Sequence, residues 1–145
     1  MTTLTIKTNI TRSAIFALLC LFAWTIPLAA ENWIYVTRTD WDPGNDPAVN
    51  NYIDADSVVR NGDTLFFRAL SVYDYVDLSG KKQMISKIEV NLAPNPWKSR
   101  VVEFWIYDSK GKEFVHDPAR DNSFSTVYSG SLTYLETVAA LKYAK

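Results

Sequence analysis

Short runs of β-branched and aromatic residues, each closed by turn-forming residues, constrain the fold of this chain more than any other sequence feature. Such spacing is typical of strands joined by hairpins. The predicted strands are Trp33–Thr39, a short piece at Tyr52 and Ile53, and the segments 64–75, 83–92, 99–107 and 113–116. We therefore expect an α+β, mainly β fold, with an antiparallel sheet of about six strands.

Glycine, proline, asparagine and aspartate mark the connections between these strands. Asn61-Gly62-Asp63 predicts a tight hairpin turn, and the segments 77–80 and 108–111 predict two more. The polar segment 54–60 is interpreted as one tight helical turn. The acidic loop 40–46 lacks the flanking helices and the final glutamate of a calcium-binding EF-hand, so it is interpreted as a polar loop and no metal site is expected.

A change of hydrophobic period after Ser131 predicts one C-terminal helix. The apolar residues there recur at steps of three and four: Leu132, Leu135, Val138 and Ala139. This apolar stripe needs a partner, and we expect it to pack on one face of the sheet. Three residues are candidates for the N-cap: Ser129, Ser131, and Thr133 with Glu136 at capping-box spacing.

Residues 1–30 have the order of a secretory signal peptide. Lys7 and Arg12 precede a charge-free apolar run over 13–26, and Pro27-Leu28-Ala29-Ala30 follows. The run is shorter than the roughly 20 residues that a membrane-spanning helix needs. We expect cleavage after Ala30, one domain over 31–145 and no stable membrane span after cleavage. Cys20, the one cysteine of the sequence, would be lost with the signal peptide.

The residue inventory of the exported segment argues against catalysis and nucleic-acid binding. It holds 13 basic and 16 acidic residues, which is not the balance of a nucleic-acid binder. It has one histidine, no cysteine, and no nucleophile-elbow, phosphate-loop or zinc motif. We expect no catalytic residue, no cofactor and no metal. His116 is interpreted as a hydrogen-bonded residue at a strand end.

Charge and strand alternation together predict a protein-binding surface. The segment 31–80 has a net charge of −6, and the segment 81–112 has +4. On 99–107, Val102, Phe104 and Ile106 are assigned to the face under the helix, which leaves Val101, Glu103, Trp105 and Tyr107 outward. Aromatic side chains near Lys and Arg are typical of protein interfaces; the alternative is that they only stiffen the sheet. The predicted binding residues are Lys81, Lys82, Lys87, Arg100, Trp105 and Tyr107.

The ordered motifs resemble the surface-adhesin protein E family of Gram-negative bacteria. The similarity rests on the opening Trp33, on Tyr52-Ile53-Asp54 with Ser57-Val58 and Asn61-Gly62, on Tyr107-Asp108-Ser109-Lys110-Gly111, and on Ser129-Gly130-Ser131. Many members carry one cysteine on the strand corresponding to 89–91 and another in the last helix. Both are absent here, which leaves the helix to packing alone.

The resemblance implies a sheet of about six strands with one C-terminal helix. It also implies export to the periplasm or the outer surface, and binding of host matrix or serum proteins such as vitronectin or laminin. We thus expect a non-enzymatic binding protein. The alternative is a periplasmic structural or assembly protein that forms a homodimer or docks on an envelope component.

Overall fold

Seven strands and one helix are formed by the residues that the computed structural model describes, namely 31–40, 47–118 and 123–145. The predicted signal peptide and residues 41–46 of the predicted acidic loop lie outside the described residues. The strands are β1 Trp33–Thr39, β2 Val49–Asn61, β3 Thr64–Tyr73, β4 Gln83–Asn91, β5 Lys98–Tyr107, β6 Glu113–Pro118 and β7 Ser125–Thr126. The helix, α1, spans Leu132–Leu141.

Strands β1 to β6 form one antiparallel meander in which each strand pairs with the next along the chain. The order is β1-β2-β3-β4-β5-β6, and β7 pairs with the first residues of β5. With α1 packed on one face of this sheet, the predicted fold is confirmed. Among the described residues there is no helix with the length and apolarity needed to cross a bilayer.

The hairpin turns lie where the sequence predicts them. Gly62 has a φ of +59°, a conformation that glycine adopts at little cost between two strands. The carboxylate of Asp108 accepts hydrogen bonds from the backbone N–H groups of Lys110 and Lys112, at 2.8 and 2.9 Å. These N–H groups lower the pKa of Asp108. Each turn is thus closed by its own backbone or by a short acidic side chain.

The prediction of a helical turn over 54–60 is wrong, because β2 continues through this segment. The pairing of β2 with β3 is irregular between Asp54 and Val59. There the Ser57 hydroxyl donates to the Asp54 carbonyl oxygen at 2.7 Å and accepts from the Arg68 N–H at 2.8 Å. The serine side chain thus takes over a bond of the ladder, and Val58 reaches the core.

The core lies between α1 and the face of the sheet on which it packs. Its largest fully buried apolar side chains come from three strands: Ile53, Leu65, Phe67 and Val90. Ala140 of α1 is fully buried against this cluster. The helix packs mainly on β1, β2 and β3. Ser131, one of the three N-cap candidates, is the N-cap: its Oγ accepts from the Tyr134 N–H at 3.3 Å.

The predicted apolar stripe of the helix is only partly the buried face of α1: Ala139 packs against the core cluster, but the fully buried residues are others. The buried residues are Glu136, Thr137 and Ala140, whereas Leu135 is 38% exposed. The sheet beneath already presents large side chains such as Phe67. Small side chains on α1 therefore allow the closer approach, which side-chain hydrophobicity alone does not predict.

One residue of β5 also lies on a different face from the predicted one. The register shifts between the pairs Lys87–Glu103 and Ile88–Val101, so Val102 is an extra residue on β5. Directly paired residues share a face. Val101 therefore lies with Ile88 on the helix side rather than outward, while Phe104 lies there as predicted, opposite Ser86.

Glu136 makes stability depend on pH. It is 3% exposed, and burial raises the pKa of its carboxyl from 4.5 to about 8. The unfolded chain therefore releases this proton first, and the free energy of unfolding falls as pH rises from 4.5 to about 8. The loss over this interval is on the order of 5 kcal/mol. We expect Glu136→Gln to flatten this dependence of the free energy of unfolding on pH. The free energy is measured by denaturant titrations at several pH values.

The matched control is Glu113→Gln, a change at an exposed position of β6. This variant should retain the pH dependence of the free energy of unfolding that the unchanged protein has. An equally steep pH dependence of the free energy of unfolding in Glu136→Gln would show that Glu136 is ionised and solvated in the folded state.

The rotated helix makes a second prediction about stability. Leu135→Ala should lower the free energy of unfolding by about 1 kcal/mol or less, since the side chain is already partly in water. Ala140→Leu adds volume to a filled site and should cost about 1–3 kcal/mol. Thermal melts of both variants test this order. A larger loss of stability for Leu135→Ala than for Ala140→Leu would show that the Leu135 side chain belongs to the core.

Candidate protein-binding face

The face of the sheet opposite α1, here called the outer face, carries one continuous row of mostly apolar side chains. The register pairs these residues in sequence across all six strands of the meander. The apolar row consists of Tyr35, Tyr52, Leu70, Ile85, Trp105 and His116. Because paired residues share a face, the six side chains form one line across the outer face.

The apolar row is open to solvent along its length. Tyr35, on the edge strand β1, is 55% exposed. His116 at the other end is also exposed, and the four members between them are partly exposed. The Tyr35 ring meets the Tyr52 ring edge-on, with centroids 5.6 Å apart and planes at 73°. Such contacts hold the rings in place, so the row presents fixed aromatic surface.

Trp105 is held at the other end of the row by the only histidine of the chain. The His116 ring stacks on the indole with centroids 5.1 Å apart and planes at 19°. The His116 Nε2 lies 2.7 Å from the Glu103 Oε1. His116 is hydrogen-bonded as predicted, but to a neighbouring strand, where it orients Trp105.

A row of charged residues lies beside the apolar row and ties β1, β2 and β3 together. Asp54 is 1% exposed, and its carboxylate accepts from the Arg68 Nε at 3.1 Å and from the Asn32 N–H at 3.2 Å. Arg68 also pairs with Glu31 at 3.3 Å. The Trp33 indole N–H donates to Glu31 at 2.8 Å. The Arg68 guanidinium thus serves two carboxylates in this part of the outer face.

Two of the predicted binding residues serve the turn between β3 and β4. The Lys82 Nζ donates to the backbone carbonyl oxygens of Tyr73 and Asp74. The Lys81 Nζ lies 3.3 Å from the Asp77 carboxylate and 4.6 Å from the centre of the Tyr73 ring. Burial opposes the charge of Lys81, but Tyr73 and Asp77 raise its pKa. Both lysines therefore hold their own turn together.

The other four predicted residues lie on the outer face, each in different surroundings. Trp105 belongs to the apolar row. Tyr107 pairs with Gln83, and burial, together with the carboxylates of Glu113 and Glu31, raises its pKa. Arg100 bonds Glu89 at 2.7 Å and lies over the Phe124 ring.

Lys87 is exposed and pairs in register with Glu103 and Arg68. Among the described contacts, neither a hydrogen bond nor an ion pair engages its ammonium group. The basic residues of the segment 81–112 are thus largely engaged in contacts within the protein. Lys87 carries the most available positive charge of this segment on the outer face.

Sequence reasoning missed Tyr35, Tyr52, Leu70 and Ile85 as members of this surface. Leu70 and Ile85 could have been placed by counting back from the two hairpin turns, since β3 and β4 pair without interruption. Tyr35 could not, because the register of β1 shifts between Tyr35 and Thr37. A one-residue shift exchanges the faces of a strand.

No group of three or more His, Cys, Asp or Glu residues that could hold a metal ion occurs among the described residues.

Comparisons of the chain with protein-family models, with characterised proteins and with solved structures gave no match. The functional argument therefore rests on the geometry of the chain itself.

The lysine geometry predicts that Lys82 and Lys87 differ in their effect on stability. Lys82→Met keeps the aliphatic stem but leaves two carbonyl oxygens without their donor, and should cost about 1 kcal/mol. Lys87→Met, the matched control, should leave the melting temperature unchanged. Hydrogen exchange of the Tyr73 amide, which bonds the Lys82 carbonyl at 3.0 Å, should accelerate only in Lys82→Met. Equal behaviour of the two variants would contradict this assignment.

Proposed function

We propose that this chain is an exported, non-enzymatic binding module that captures a protein partner on the outer face of its sheet. The observation that carries the proposal is the apolar row, which crosses six strands and remains open to solvent. A contiguous exposed apolar surface rimmed by polar residues is typical of an interaction site. Export and membership of the surface-adhesin protein E family belong to the same proposal and rest on the sequence motifs.

The composition of the outer face supports a protein as the partner. Tyrosine and tryptophan supply much of the energy in protein interfaces because they bury large areas and lose few rotatable bonds. The charged row beside them contains both signs, in the Asp54–Arg68 and Arg68–Glu31 pairs. Such a face offers register and specificity more than long-range attraction.

Tyr35 and Trp105 are the expected anchors because Tyr35 is one end of the apolar row and Trp105 lies beside His116 at the other. If the whole row is used, Trp105→Ala and Tyr35→Ala should each weaken binding by about tenfold or more, mainly through faster dissociation. The measurement is surface plasmon resonance with immobilised vitronectin and laminin, the partners implied by the family resemblance. Melting temperatures should be recorded in parallel.

Leu135→Ala is the matched control, since it removes a partly exposed apolar residue from the helix side. It should leave binding unchanged. If neither ligand binds at micromolar concentration, the adhesin proposal fails for these partners. If Trp105→Ala instead lowers the melting temperature and leaves binding intact, the aromatic residues serve only to stiffen the sheet.

A second candidate function, self-assembly, is favoured by the surface between β1 and α1. Among the described strands, β1 has one edge without a pairing partner. A groove of about 260 Å³ runs beside it, lined by Ile34, Val36, Leu135 and Tyr143 among others. An open edge strand next to apolar surface is suited to pairing with a second chain.

Light scattering at micromolar concentration tests this second candidate. A monomer would exclude it under those conditions. A dimer that Val36→Lys dissociates would make it the better account of β1.

A further inference from the structure

A cavity of about 500 Å³ lies apart from the apolar row, between the β4–β5 connection and the segment that leads into α1. Its volume is within the usual range of ligand sites. Leu92 and Val127 lie among the apolar residues of its lining, together with Pro94, Pro96, Trp97 and Tyr134. The proposed function makes no use of this cavity.

Its aromatic walls are fixed before any ligand arrives. The Trp97 and Tyr134 rings stack with centroids 5.5 Å apart and planes at 20°. Trp97 also packs against the core cluster. The Val127 N–H donates to the Trp97 carbonyl oxygen at 2.8 Å, which joins the two walls. A pre-formed site avoids the ordering cost of binding.

Polar groups that line the cavity have no hydrogen-bond partner among the described residues. They are the Trp97 indole N–H, the Asn95 amide and the hydroxyls of Ser129 and Tyr134. None of them makes a side-chain hydrogen bond to any residue that the structure describes. Pro94 and Pro96 in the facing wall have no backbone N–H to offer. The Trp97 indole N–H can only donate, whereas the Asn95 amide and the two hydroxyls both donate and accept. All four groups can therefore donate to acceptors that a ligand brings.

We propose that this cavity binds a proline-rich peptide segment in the polyproline II conformation. Such a segment presents apolar pyrrolidine rings and backbone carbonyl groups, while its prolines offer no N–H. The rings fit an aromatic-lined groove, and the carbonyl groups match the unpaired donors. The conformation exists before binding, so little entropy is lost.

The test is a titration of the protein with a decaproline peptide, followed by the NMR signal of the Trp97 indole N–H. We expect a saturable shift of this signal and none of the Trp105 indole signal. Tyr134→Ala should weaken the affinity by about tenfold or more, as expected for a lost aromatic anchor. Asn95→Ala, a change outside the core, should weaken it severalfold and keeps the test valid if Tyr134→Ala fails to fold.

The matched control is Trp105→Ala, which should bind decaproline with unchanged affinity whether or not it still binds a protein on the outer face. A glycine-serine peptide of equal length should give no shift. The proposal is overturned if decaproline gives no saturable shift at millimolar concentration, or if the glycine-serine peptide shifts the Trp97 signal equally. It is also overturned if cellotriose, rather than decaproline, saturates the site.

Discussion

A single helix of ten residues has to cover a meander of six paired strands, and the rest of the structure depends on this disproportion. α1 is capped by Ser131 and packs mainly on β1, β2 and β3, where Ala140 and Thr137 are fully buried. Antiparallel sheets tolerate one solvated face. The outer face is consequently left to stabilise itself through contacts between neighbouring strands.

It does so by two different means in adjacent rows. In the charged row, Asp54 is buried but surrounded by donors from Arg68, Asn32 and Asp56. A buried carboxylate of this kind stabilises only while its partners remain, and removal of one partner typically costs about 3–5 kcal/mol. In the apolar row, the Tyr35–Tyr52 and Trp105–His116 ring contacts hold the aromatic side chains. The charged row therefore secures the strands, which leaves the apolar row available for a partner.

Much of the fold could be predicted because turns obey local rules. Asn61-Gly62 and Asp108 each shape a turn made of residues next to them in the sequence, so the hairpins were placed correctly. The segment 54–60 was misjudged because the bond between Ser57 and Arg68 joins two strands and has no local signature. The helix face was misjudged because close packing selected Ala140, although Leu135 is the more hydrophobic side chain.

The candidate site was predicted less completely, for a related reason. Trp105 was assigned outward by alternation within β5, and the register agrees. The rest of the apolar row depends on pairing across strands with extra residues at two places, near Val36 and at Val102. The role of Lys82 depends on where the turn places two carbonyl oxygens. None of these is readable from residue type.

α1 covers one face of the sheet and leaves the apolar row on the other face open to water. This arrangement is tested most directly by the effect of a soluble paramagnetic agent on side-chain methyl signals in NMR spectra. We expect strong broadening for Leu70 and Ile85 and little for Ile53 and Leu65, which lie in the same sheet but face α1. Equal protection of all four residues would contradict it, because the outer face would then be covered.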